Sequence, residues 1–179
     1  MPYTTILDFW FTEIEPKMWW QKDAAFDQLI QQRFGETHAA ATRAELYSWR
    51  REPLGRLAEI IVLDQFSRNI YRDQALAFAW DGMALVLAQE AVAAKVQAGF
   101  STEQKAFLFL PFMHSESALM HEQAVQLYSE PGLEFNLSFE HKHKRIIDRF
   151  GRYPHRNALL GRVSSAEEIE FLKGPDSAF

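Results

Sequence analysis

The sequence predicts an all-α protein, on three observations. Apolar residues recur at spacings of three and four in window after window, strand-type alternation is hard to find, and helix-capping signals stand at the window ends.

In chain order, the periodic windows are Phe26 to Phe34, Leu57 to Tyr71, Met83 to Val96, Lys105 to Leu110, Leu119 to Tyr128 and Phe135 to Phe150. Upstream of them, Phe9, Trp10, Phe11, Trp19 and Trp20 are expected to pin an N-terminal helix to the core, because bulky aromatics dominate core energetics. Pro53 after Glu52 suits a first helical position, where the N–H it lacks has no partner in any case. Ser101-x-x-Gln104 and Ser164-x-x-Glu167 read as capping boxes, which satisfy two orphan backbone donors at a helix start. Pro111 removes a backbone donor late in its window and should kink or end that helix, and Gly151 reads as the terminator of the last long one. Connections are short, so antiparallel neighbours are expected. No linker or low-complexity tract interrupts residues 1–179, which are read as a single helical domain. A repeat of about 34 residues is not readable, so the residues themselves give a helical bundle or irregular array.

At 179 residues, with 47% hydrophobic and 14% aromatic side chains, the chain can bury a substantial core, which excludes disorder as its main state. The lack of cysteine removes disulfides, thiolate nucleophiles and Cys-based zinc sites, and suits a reducing cytoplasm. The first residues lack a basic region followed by an apolar run. No apolar stretch is read as approaching the roughly 20 residues of a membrane span, so a cytoplasmic location without membrane contact is expected.

Charge is unevenly placed. Between Glu140 and Arg162, seven Lys/Arg face two acids, a local balance of +5 that leaves −10 for the rest of a chain whose net charge is −5. A small anion is the expected partner for this basic segment, whereas the acidic remainder would repel a nucleic acid. Lys142, Lys144 and Arg145 are assigned to a solvated helix face.

Several polar residues fall where helical periodicity expects burial. With Leu57 at zero and about 100° per residue, Ile60, Ile61 and Tyr71 define an inward arc, and Asp64 at about 340° and Arg68 at about 20° lie inside it, four residues apart as an ion pair requires. Burying either charge alone would cost several kcal/mol, so both must find partners. Glu59, at about 200°, is the expected solvated contrast. His143 shares the stripe of Phe139, Ile146 and Phe150 and should be buried, with His141 pointing out. His114 continues the stripe of Phe107 and Leu110, just before Ser115 and Glu116.

These positions suggest a polar constellation. Asp64, Arg68, Asn69, Arg152, His155, Arg156 and Asn157 are the candidate ligand-binding residues, with Arg68, Arg152 and Arg156 as donors to an oxyanion. His114, Glu116 and His143 are the candidates for acid–base chemistry if the site is catalytic. The alternative is a network that only satisfies helix ends and locks their register. No metal or other cofactor is expected: no H-E-x-x-H or comparable ligand pair occurs, and His121, seven residues after His114, is as well read as a surface or boundary residue. Ser115 lacks a G-x-S-x-G setting, and glycine-rich phosphate loops are missing.

The string Arg149-Phe150-Gly151-Arg152-Tyr153-Pro154-His155-Arg156-Asn157 carries a resemblance. With Leu7-Asp8-Phe9-Trp10-Phe11, Trp19-Trp20, Leu63-Asp64-Gln65-Phe66-Ser67-Arg68-Asn69-Ile70-Tyr71, Leu110-Pro111-Phe112-Met113-His114-Ser115-Glu116 and His143, it resembles the bacterial domain-of-unknown-function 924 family over nearly the whole chain. The resemblance implies an all-helical, tetratricopeptide-like array and assigns no reaction. Ser67 departs from the proline more usual in that family. Tetratricopeptide-like folds often present apolar grooves to peptides, so a protein partner held on a helical scaffold stands as a third reading.

Overall fold

Helices and turns account for the regular structure of residues 1–175 and 177, the ones described in the computed structural model; no strand occurs among them. The chain forms two compact units, Met1–Pro111 and Phe112–Phe179.

In the first unit, α1 (Tyr3–Asp8) runs into a π turn, Phe9–Glu13. α2 (Ala24–Thr42) starts at Asp23, whose carboxylate accepts the N–H groups of Ala25 and Phe26. A 3-10 turn over Tyr47–Arg51 leads to α3 (Pro53–Ile61), then a second π turn over Val62–Phe66, the short α4 (Ser67–Ile70), α5 (Asp81–Ala93) and α6 (Thr102–Met113). The predicted window Leu57 to Tyr71 is therefore one continuous path with a π turn in its middle. Ser101 and Gln104 cap α6 as the sequence predicts, through mutual bonds of 3.0 and 3.3 Å.

Aromatic rings fill this unit's core. Phe9 lies 4.8 Å from Phe34, Phe34 lies 5.1 Å from Phe66, and Trp10 meets Phe107 edge-on at 5.5 Å. Trp19 donates its indole N–H to the Trp10 carbonyl at 2.9 Å, and the largely exposed Trp20 stacks on Phe107. The N-terminal aromatics thus pin α1 as expected.

Every residue from 57 to 67 is buried. α1, α5 and the Tyr47–Arg51 turn all pack on α3, so it has no solvated face. This overturns the expectation for Glu59: its side chain is fully buried, gripped by Arg50 through bonds of 2.7 and 2.6 Å. The wheel assumed one wet face, and a helix enclosed on several sides has none. Gly55 shows how close the packing is, since a Cβ there would stand 2.1 Å from the Trp49 carbonyl oxygen.

The segment Ala75–Ala93 is long and apolar enough to cross a membrane by length and composition, at 19 residues and a mean hydropathy of 1.3, contrary to the expectation that no such stretch occurs. It is a 3-10 turn, Ala75–Phe78, followed by the 13 residues of α5, which at about 1.5 Å per residue fall short of a hydrocarbon core of roughly 30 Å. Asp81 within it is ion-paired to Arg68.

In the second unit, α7 (Ala118–Tyr128) packs on α8 (Glu134–Phe150), and α9 (Ala166–Phe171) follows a long loop. Ile146, Ile147 and Tyr153 form a buried cluster with Phe150 and Phe171 against it. Gly151 ends α8 with φ of 68°, a left-handed value that favours glycine, and donates its N–H to the Ile147 carbonyl at 2.8 Å. The second capping box sits one residue later than predicted. Ser165, not Ser164, caps α9, and Glu168, not Glu167, returns the bond to the Ser165 N–H at 2.7 Å.

Candidate functional site

The predicted polar residues fall into two clusters, one in each unit. In the first, Asp64 sits in the Val62–Phe66 π turn with its side chain 1% exposed, and Arg68 is one-fifth exposed. Arg68 Nη1 lies 3.1 Å from Asp64 Oδ1 and donates to the Asp64 carbonyl at 2.8 Å, while both its Nη atoms grip Asp81 at 2.9 and 3.0 Å. The Gln65 amide donates to Asp64 Oδ2 at 2.6 Å. Asn69 donates to Asp27 Oδ1 at 2.8 Å, and Arg72 holds the same carboxylate. Burial and mutual pairing of Asp64 and Arg68 are as the helical wheel requires, and Asp81 and Asp27 are partners that periodicity did not reveal.

The π turn explains Ser67. Widening a helical turn displaces the usual i to i+4 bonds, and the Ser67 hydroxyl donates to the Leu63 carbonyl at 2.5 Å. Its oxygen in turn accepts from His38 Nε2 at 2.8 Å, a link that proline could not make. Burial lowers the His38 pKa to about 4, so this imidazole is neutral and donates from Nε2.

The second cluster is centred on the fully buried Tyr153 ring, which follows the α8 terminator. The His143, His155 and His121 rings lie 5.8, 5.5 and 6.2 Å from it, and the Arg156 guanidinium sits 4.6 Å from its centroid. Tyr153 donates its hydroxyl to the Met113 carbonyl at 2.5 Å. His121 and Glu140 meet at 2.7 Å, both side chains fully buried. His121 Nε2 lies 2.8 Å from the Ser115 carbonyl, so it carries a proton, and the pair's remaining proton lies between Nδ1 and Glu140. Burial raises the Glu140 pKa against the opposing pull of His121. The expectation of His121 as a surface or boundary residue is therefore corrected. It lies at the α7–α8 contact, and its buried partner Glu140 is one turn before Lys144 on a helix that looks basic from its charges alone.

His143 is buried and His141 exposed, as predicted. His143 Nδ1 donates to the Phe139 carbonyl at 2.8 Å, which turns Nε2 away from that carbonyl. Its pKa falls to about 3, through burial first and then the proximity of His114, His121 and His155. These four imidazoles therefore share one electrostatic neighbourhood. His114 is half-buried, and its carbonyl accepts from Arg156 Nη2 at 3.0 Å.

Other signature-loop residues bind the loop to itself. Arg152 holds Glu168 through bonds of 2.6 and 2.8 Å and lowers its pKa to about 2, with help from the Ser165 N–H. Asn157 donates to Ser164 at 3.0 Å. Glu116 accepts the Tyr153 N–H at 2.8 Å and Arg162 at 2.6 and 2.9 Å. Burial alone would raise the Glu116 pKa, but the Arg162 and Tyr153 bonds bring it below the usual range. Arg162, absent from the predicted set, is thus the partner of the candidate Glu116, forty-six residues distant in sequence. No group of three or more His, Asp or Glu suited to a metal ion occurs among the described residues.

The comparisons with known proteins agree with the fold and assign it no chemistry. The chain is similar to a solved protein of unknown function from Agrobacterium tumefaciens, at 37% identity and a TM-score of 0.91, over 96% of this chain and 97% of that one. No curated protein matches. The profile of the bacterial proteins of unknown function DUF924 matches residues 6–176. The chain belongs to that family.

Proposed function

We propose that the unit Phe112–Phe179 binds a small anionic molecule at the imidazole and guanidinium cluster around Tyr153. One observation carries this reading: three imidazoles and a buried guanidinium converge on a single phenol ring. An imidazole N–H can donate a hydrogen bond to an oxyanion, and a guanidinium adds a planar fork and a fixed charge. Arg156 and His155 are the ligand-facing residues in this reading, with His114 and His143 beside them. Arg152, Asn157, Glu116 and Arg162 hold the loop that presents them. Asp64, Arg68 and Asn69 are not part of it: Asp64 is engaged by Arg68 and Gln65, Arg68 also by Asp81, and Asn69 by Asp27, all within the first unit. The acid–base reading gains less support, because its carboxylate Glu116 is engaged by Arg162 and the Tyr153 N–H, which hold its pKa below the usual range, and the His143 pKa falls to about 3.

The test is thermal unfolding with sulfate or a small carboxylate against sodium chloride at matched ionic strength, because excluded salts stabilise most proteins without a site. A ligand that binds only the native state stabilises it by about 2.7 kcal/mol at one hundred times its Kd. Arg156→Ala should remove the ligand-specific part, Arg156→Lys should keep only some of it, and Arg145→Ala, on the exposed face of α8, should keep all of it. Equal stabilisation of wild type and Arg156→Ala would leave the loop a structural latch and favour the scaffold reading.

A further inference from the structure

The arrangement around Tyr153 has a property that an ordinary arginine-lined anion site lacks, namely several titratable imidazoles facing one another. His143 on α8 meets the Tyr153 ring of the loop after α8, against which His121 of α7 and His155 and Arg156 of that loop also lie; His114, from the segment that follows α6, is near His143, and Glu116 of the same segment accepts the Tyr153 N–H. Glu140, one turn earlier on α8, is committed to His121, and Glu116 to Arg162 and the Tyr153 N–H. The carboxylates in reach are therefore already engaged.

Resting on the anion reading above, we propose that this site takes up a proton together with its ligand, so that a compact oxyanion binds tightly only when an imidazole of the cluster becomes protonated. The cause is electrostatic. Like charges at close range disfavour one another, so without a ligand a proton on His143 is opposed by burial and by the neighbouring imidazoles. An oxyanion seated among them reverses that sign: it favours the protonated form, and each protonated imidazole gains a donor aimed at the ligand. Binding and protonation then reinforce each other, and by linkage each strengthens the other equally.

Sulfate is the probe, because it does not titrate near neutral pH. Isothermal titration of the whole protein at constant ionic strength, at pH 6, 7 and 8, reads the Kd, and buffers of different ionisation enthalpy read the protons taken up. Uptake of one proton predicts a Kd that weakens by about tenfold per pH unit as pH rises, with heats that differ between buffers. His155→Gln and His143→Gln should each reduce the proton number or flatten the slope, whereas the exposed His141→Gln should change neither. Circular dichroism at each pH shows that the fold is intact. Sulfate binding with the same Kd at pH 6 and 8 and buffer-independent heats would overturn proton uptake and leave the anion reading standing. No saturable sulfate binding at any pH would remove both. A full slope retained in both histidine variants would place the proton outside the cluster and overturn the inference.

Discussion

His121 and Glu140 meet at 2.7 Å with neither side chain exposed, and the same imidazole reaches the Ser115 carbonyl, so one residue ties α7, α8 and the segment after α6 together. Removing one partner of a buried pair strands the other. Glu140→Ala and His121→Ala should each cost about 3–5 kcal/mol in chemical denaturation, and Glu140→Gln, which keeps a hydrogen-bonding group in place, distinctly less. A loss below about 1 kcal/mol for both alanine variants would show that the pair does not hold the unit together.

Stability should fall on acidification. His143 and His38 have pKa values pulled to about 3 and about 4 from an ordinary 6.5, so below pH 6.5 the unfolded chain binds protons that the folded chain refuses. By pH 5 each buried imidazole should have cost about 2 kcal/mol, and the loss continues down to the folded pKa. Glu140 runs the other way, since its raised carboxyl pKa favours the folded state as pH falls. Unfolding free energies at pH 7 and 5 check the sum, and His143→Asn should remove about half of the histidine slope.

Two glycines should respond in opposite directions. Gly55→Ala drives a Cβ into the Trp49 backbone and should cost about 1–3 kcal/mol or more as α3 is pushed off its neighbouring turn. Gly82, on α5, meets nothing within 4 Å, so Gly82→Ala should stabilise by up to about 1 kcal/mol. Paired thermal melts decide between them.

Asp64→Ala should destabilise by about 3 kcal/mol, because it takes the buried acceptor from the Gln65 amide as well as one of the two carboxylates that hold Arg68. Asp81→Ala should cost less, since Arg68 keeps Asp64. Equal losses would mean that Arg68 is positioned by Asp81 instead.

The helices were legible because periodicity and capping are local. The burial of Asp64, Arg68 and His143 was legible for the same reason, as each occupies a helical stripe. Glu59 was misread because one helix's sequence does not report how many neighbours surround it, and α3 has them on several sides. His121, Glu140 and Arg162 were passed over or undervalued for a related reason: each is defined by a partner distant in sequence, and no local pattern distinguishes a buried glutamate on a basic helix from a solvated one. The signature loop announced a polar structure, but only the structure shows that Arg152 fastens it to Glu168, Asn157 to Ser164 and Arg156 to the His114 carbonyl.

The anion site is tested most directly by following the histidine ring resonances during a sulfate titration at constant ionic strength. The account predicts that His143, His155 and His114 shift together with one saturating curve and that the exposed His141 stays still. Shifts that grow alike in all the histidines in proportion to salt, without saturation, would contradict it.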